Sequence, residues 1–112
     1  MENNQWPDYL RQIGKHAAQL QQANPGMMDA FQGIREAVHS NPAIDDKTRE
    51  LIAIAVSVAR QCDGCIASHV RQAKLAGASR EEVGAAIGVA MAVAAGGAYV
   101  YGTKVVDAYE QF

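Results

Sequence analysis

From Val83 to Thr103 the chain runs 21 residues without a charged side chain. A helix of that length can cross a bilayer, so the fold must hide this stretch in lipid or in protein. Composition decides between the two. Eleven of the residues from Val83 to Tyr101 are Ala or Gly, which contribute little to transfer into lipid, and Gly96-Gly97 interrupts the run. A helix this small-sided is expected to be buried in a core or between subunits, not in a membrane. Gly84, Gly88 and the Ala-rich face from Ala85 to Ala95 would let helices approach closely. A monomer of 112 residues has little interior for so much small apolar surface, so a homo-oligomer is expected.

The rest of the chain is helical in pattern, with no sustained strand alternation. Leu10, Ile13, Ala17 and Leu20 share one helix face, with Pro7 suited to the first turn and Asn24-Pro25-Gly26 as the stop. Met28, Phe31, Ile34 and Val38 form a second stripe, ended by Asn41-Pro42. Asp45 or Asp46 can cap a third helix running to about Arg60, with Leu51, Ile54, Ala55 and Val58 inward. A fourth starts near Cys62, carries Ile66, Val70 and Ala73 on one side, and has Gly77 placed as its cap. Ser79 to Glu82 has capping-box spacing and opens a fifth. Gly96-Gly97 is expected to break that helix, leaving a sixth from about Ala98 to Tyr109. The expectation is one all-α domain over residues 1–112, with about six helices and a central helical hairpin.

Net charge is -2 and the chain has no basic block, which argues against nucleic acid or anionic lipid as partner. Met1 to Asp8 lacks the basic start and apolar run of a secretory signal, so a reducing, cytoplasmic location is expected. There, two cysteines three residues apart point to catalysis or metal binding before a structural staple.

Those cysteines belong to the pattern Glu50-x11-Cys62-x2-Cys65-x3-His69. Positions i and i+3 at a helix start have α-carbons about 5 to 6 Å apart, within disulfide range. Cys62 and Cys65 can therefore cycle between dithiol and disulfide with little backbone movement. His69 lies one turn after Cys65 on the same face and can take its thiol proton. If Cys62 or Asp63 is the N-cap, the helix dipole also favours a thiolate, and Arg60 adds positive charge nearby. Glu50 reaches this group only if the chain turns back near residue 61. Straight-axis arithmetic then leaves about 6 Å between Glu50 and His69, for side chains, tilt or a water to close. Joined, Glu50 would fix the tautomer of His69.

Plainer readings compete. The cysteines could be small core residues, or Cys62, Cys65, His69 and Glu50 could hold structural zinc, although zinc favours ligands on loops or knuckles. Glu50 alone is an ordinary first-turn acid. His16 and His39 lie on polar faces, and Met27, Met28 and Met91 fit the apolar stripes. Tyr99, Tyr101 and Tyr109 read as packing residues.

The segment Glu50-Leu51-Ile52-Ala53, then Cys62-Asp63-Gly64-Cys65-Ile66-Ala67-Ser68-His69, then Ala76-Gly77-Ala78-Ser79-Arg80-Glu81-Glu82, resembles the AhpD-like alkylhydroperoxidase branch of the carboxymuconolactone decarboxylase family. The Gly96 to Tyr99 stretch looks like the family's last helical bend, and the resemblance covers about residues 30 to 110. It implies an all-α trimer or hexamer. It also implies a peroxide-attacking Cys65, a resolving Cys62, and a proton relay through His69 and Glu50. The family's reductant is an external dithiol, such as a lipoyl group on a partner protein or a thioredoxin-like protein. One departure is plain: the peroxidase members carry a histidine before the second cysteine, where this chain has Gly64. The cysteine pair argues against lactone decarboxylation, because the decarboxylases of the family are expected to lack it.

The expected activity is a thiol-dependent peroxidase cycling Cys62 and Cys65, needing neither metal nor other cofactor. A dithiol–disulfide exchanger that never meets peroxide, a decarboxylase-like non-redox enzyme and a zinc-binding assembly module remain as alternatives.

Overall fold

The computed structural model describes residues 5–112; the part of the signal-sequence reading that rests on residues 1–4 lies outside them. Five helices follow in order: α1 (Gln5–Ala23), α2 (Pro25–His39), α3 (Asp46–Ala59), α4 (Asp63–Leu75) and α5 (Arg80–Gln111). No strand occurs among the described residues.

The boundaries follow from local chemistry. Asn24 accepts the Met27 N–H at 3.4 Å and Pro25 takes the first position of α2. Asp45, not Asp46, caps α3 by accepting the Thr48 N–H at 2.7 Å. Ser79 and Glu82 close a reciprocal capping box on α5, at 3.0 and 2.9 Å.

Helices α3 and α4 both end in Schellman motifs. After α4, Gly77 takes a φ of 86° while the Ala78 N–H reaches back to Ala73 O at 2.9 Å. After α3 the left-handed position is held by Gln61, with a φ of 52°. The Cys62 N–H then bonds Ser57 O and the Gln61 N–H bonds Val58 O, both at 3.1 Å.

The expected break at Gly96-Gly97 does not occur: α5 is one 32-residue helix, so the chain has five helices where six were expected. Two glycines weaken a helix by about 1 kcal/mol each, but they end one only where a cap or a following proline satisfies the freed backbone groups. Neither follows here, and the hydrogen-bond ladder continues through them.

Helix α3 packs against α4 and against α5, while α1 lies on α4 and α2 on α1. Lys47 on α3 pairs with Glu82 on α5 at 2.9 Å. The core lies along α3, which takes α4 and α5 as its neighbours: Ile54 on α3, Ala67 and Ala73 on α4 and Ala90 in the first half of α5 are buried. The remaining stripes are not covered within the chain. Phe31, Ile34 and Val38 on α2 are exposed, as are Met91, Val93, Tyr99, Tyr101 and Tyr109 on α5. The tyrosines therefore do not pack inside the single chain, and α5 is not its core helix. By length and composition α5 could cross a membrane. The radius of gyration is 18.1 Å, against about 13 Å for a compact domain of this length.

Candidate active site: a disulfide beside a glutamate–histidine pair

The Schellman turn at Gln61 delivers Cys62 directly into the N-cap position of α4. Cys62 and Cys65 are joined in a disulfide, with α-carbons 5.2 Å apart. The Cys65 N–H donates to Cys62 Sγ at 3.2 Å, so this sulfur does what a serine or aspartate oxygen does at other caps. Once the bond is reduced, the free N–H groups of the helix start favour negative charge on either sulfur.

Glu50 and His69 meet across the α3–α4 hairpin. Glu50 Oε1 lies 3.1 Å from His69 Nδ1. The contact is direct, so the hairpin closes the gap that straight-axis arithmetic leaves. Glu50 is 2% exposed, whereas the His69 side chain keeps 35% of its surface. One ring edge is thus anchored in the interior while the ring stays accessible. His69 sits one helical turn beyond Cys65 on α4.

Spacing does not mark Arg49. Its side chain is 12% exposed, with Nε 3.8 Å from Glu50 Oε2 and Nη1 2.9 Å from Asp46 Oδ1. Arg49 Nε is buried and makes no hydrogen bond. Arg60 caps the C-terminus of α3 and is exposed, as are His16 and His39.

Gly64 faces α1 at this helix start: a Cβ there would lie 3.2 Å from Ile13 Cδ1. Beyond that contact, α1 and α4 part to leave a cleft of about 770 Å³, with Trp6, Leu10, Ile66 and Val70 as its apolar walls and Arg71 and Lys74 among its lining residues. Among the described residues no three His, Cys, Asp or Glu side chains form a group that could hold a metal ion, so the zinc arrangement considered from the sequence is not assembled.

The fold and sequence have known relatives. A crystal structure of a carboxymuconolactone decarboxylase family protein from Legionella pneumophila, in its apo form, superposes with a TM-score of 0.77 at 31% identity, covering 98% of both chains. An uncharacterised protein of Haemophilus influenzae is 39% identical over 104 residues, 93% of this chain and 92% of that one. The alkyl hydroperoxide reductase AhpD of Mycobacteroides abscessus is 36% identical over 66 residues, 59% of this chain but 38% of its own length. The family model described as "Carboxymuconolactone decarboxylase family" matches residues 25–108. The chain therefore belongs to the carboxymuconolactone decarboxylase family as an AhpD-like member.

Proposed function

We propose that this protein is a thiol-dependent peroxidase acting on organic hydroperoxides in a reducing, cytoplasmic setting. The observation that carries the reading is the Cys62–Cys65 disulfide at the start of α4, one turn from an imidazole held by a buried carboxylate. The similarity to an alkyl hydroperoxide reductase over 66 residues supports it.

In the reduced protein His69 takes the Cys65 thiol proton. The thiolate attacks the distal peroxide oxygen; the O–O bond breaks, and the leaving alkoxide takes a proton to become an alcohol. Cys65 is now a sulfenic acid. The Cys62 thiol condenses with it, forming the S–S bond and releasing water. The peroxide has gained two electrons and the sulfur pair has lost two. An external dithiol, a lipoyl group or a thioredoxin-like protein by class, restores both thiols by exchange. Glu50 holds His69 in orientation.

One equivalent of cumene hydroperoxide added to reduced protein should remove two hydrogens and yield a peptide cross-linking Cys62 to Cys65, read by mass spectrometry. Cys65→Ser should show neither. If reduced wild-type protein forms the disulfide no faster with peroxide than without, the peroxidase reading is wrong.

A specific observation favours a second reading. Where the peroxidase members carry a further histidine, this chain has Gly64, and Ile13 fills the space beside it. A dithiol–disulfide exchanger needs no such group. In that case the protein would oxidise a dithiol or reduce a disulfide rapidly and ignore the hydroperoxide.

The exposed apolar faces of α2 and α5 also support assembly as a homotrimer or homohexamer. Light scattering at micromolar concentration tests this.

A further inference from the structure

We propose that Arg49 is a positioning residue that acts through Glu50 to decide which nitrogen of His69 carries the proton. The inference rests on the reading of His69 as the base for Cys65, and goes beyond it by naming what keeps that base in working form.

Glu50 is a carboxyl group with 2% of its surface in solvent. Its protonation state fixes the tautomer of its neighbour. As a carboxylate, Glu50 can only accept, so Nδ1 of His69 carries the hydrogen and donates across the 3.1 Å contact. Nε2, the other ring nitrogen, then keeps its lone pair and can take a proton from a thiol. As a carboxylic acid, Glu50 would donate its own proton to Nδ1. The ring hydrogen would then sit on Nε2, and the basic atom would be lost from the exposed side of the ring.

A cation beside Glu50 favours the first of these two arrangements. Two ion pairs reach Glu50 among the described residues, those of His69 and Arg49. On α3, Asp46 is an anion and would do the reverse. Lys47 is engaged with Glu82 of α5 at 2.9 Å. On α4, Asp63 lies in the first turn and is also an anion. On α1, Arg11 pairs with Asp8. What remains is Arg49, a cation at every accessible pH. Its Nε is 3.8 Å from the Oε2 that His69 does not use. Nη1 is tied at 2.9 Å to Asp46, which fixes the guanidinium beside Glu50. At 3.8 Å the Nε contact is longer than a hydrogen bond, so what passes between Arg49 and Glu50 is charge. A lysine of similar reach should therefore replace it.

The test uses full-length reduced protein with Cys62→Ser, so that Cys65 is the one remaining cysteine, and needs no peroxide. Two readouts are taken: the ¹⁵N shifts of the His69 ring, which distinguish the tautomers, and the pH profile of Cys65 alkylation by iodoacetamide. The starting protein should show Nδ1–H. Arg49→Met should shift His69 to Nε2–H and slow alkylation at pH 7 by about tenfold or more, as a tenfold smaller thiolate fraction would. Arg49→Lys should keep the tautomer and stay within about threefold, a rescue that packing alone would not give. A folded Arg49→Met with unchanged tautomer and profile overturns the proposal. Should Arg49→Met fail to fold, the ¹³C shift of the Glu50 carboxyl in the parent decides: a protonated Glu50 at pH 7 overturns the proposal, and an ionised one together with Arg49→Lys rescue upholds it. If these tests succeed while hydroperoxide forms no disulfide, the peroxidase reading fails and the role of Arg49 stands.

Discussion

Glu50 and His69, nineteen positions apart, are brought to 3.1 Å by the α3–α4 hairpin, and the carboxylate is sealed while the ring is not. That asymmetry suits a group that must be held from behind and used from the front. His69→Asn should slow peroxide-driven disulfide formation by about 10²-fold or more at pH 7, the usual contribution of a positioned base. Glu50→Gln keeps an acceptor and should cost less. Stopped-flow measurement with cumene hydroperoxide checks both; equal losses would mean that Glu50 does more than orient the ring.

Gly64 matters for what it lets in. A Cβ at this position would press on Ile13 Cδ1 at 3.2 Å, so an imidazole there needs space that α1 occupies. Gly64→His should destabilise the fold by about 1–3 kcal/mol, as overpacking does. Ile13→Ala should recover part of that loss in the double variant, giving a coupling of opposite sign to the single effects. Urea unfolding of the four proteins in the cycle measures it. Additive effects would mean that α1 does not pack here in solution.

What could be read in advance divides along physical lines. Caps are local, so Asp45, Ser79 with Glu82, and Gly77 all stand where their side chains or backbone freedom put them. The expectation of contact between Glu50 and His69 was open because spacing gives rise along an axis, not the tilt between two axes or the left-handed turn at Gln61. Arg49 was invisible for a related reason. Adjacent helix residues point about 100° apart, so nothing in the spacing says that Arg49 and Glu50 are buried together. Periodicity in α2 and α5 showed that their faces need cover but not what supplies it. Gly96-Gly97 does not end α5, because a glycine pair permits a break without rewarding one.

Gln61 is the one described non-glycine residue with positive φ, at 52°. Left-handed backbone costs a residue with a Cβ about 1–2 kcal/mol, and glycine escapes most of that. Gln61→Gly should raise the unfolding free energy by up to about 1 kcal/mol. Denaturant unfolding of the oxidised protein gives the sign. Loss of stability would show that the turn at the head of α4 is held by the glutamine side chain instead.

The capping box carries a pH dependence. The Ser79 N–H and then the Lys47 ammonium hold the Glu82 carboxyl below its ordinary value. A carboxyl depressed by folding contributes stability above its unfolded-state pKa, and that contribution fades as pH falls through the folded value. The excess in thermal midpoint of wild type over Glu82→Gln should therefore be present at pH 7 and shrink toward pH 3. A difference that stays constant would assign the effect to packing, not charge.

The apolar surface of α5 is left uncovered within the single chain. Val93 and Val100 stand 69% and 65% exposed in the single chain, on a helix with no charge between Val83 and Thr103. Left in water, that surface would forfeit about 1.5–3 kcal/mol for each valine it could have buried. If copies of the chain supply the cover, a carboxylate placed there must be buried without a partner. Val93→Glu should then break the assembly, because an unpaired buried charge costs several kcal/mol. Light scattering should show the mass falling toward 12.0 kDa. Lys104→Glu, outside the uncharged run, should leave it unchanged. If Val93→Glu keeps the wild-type mass, subunits do not meet on this face. If wild-type protein is recovered only with detergent, α5 is covered by lipid and the oligomer reading of this helix fails.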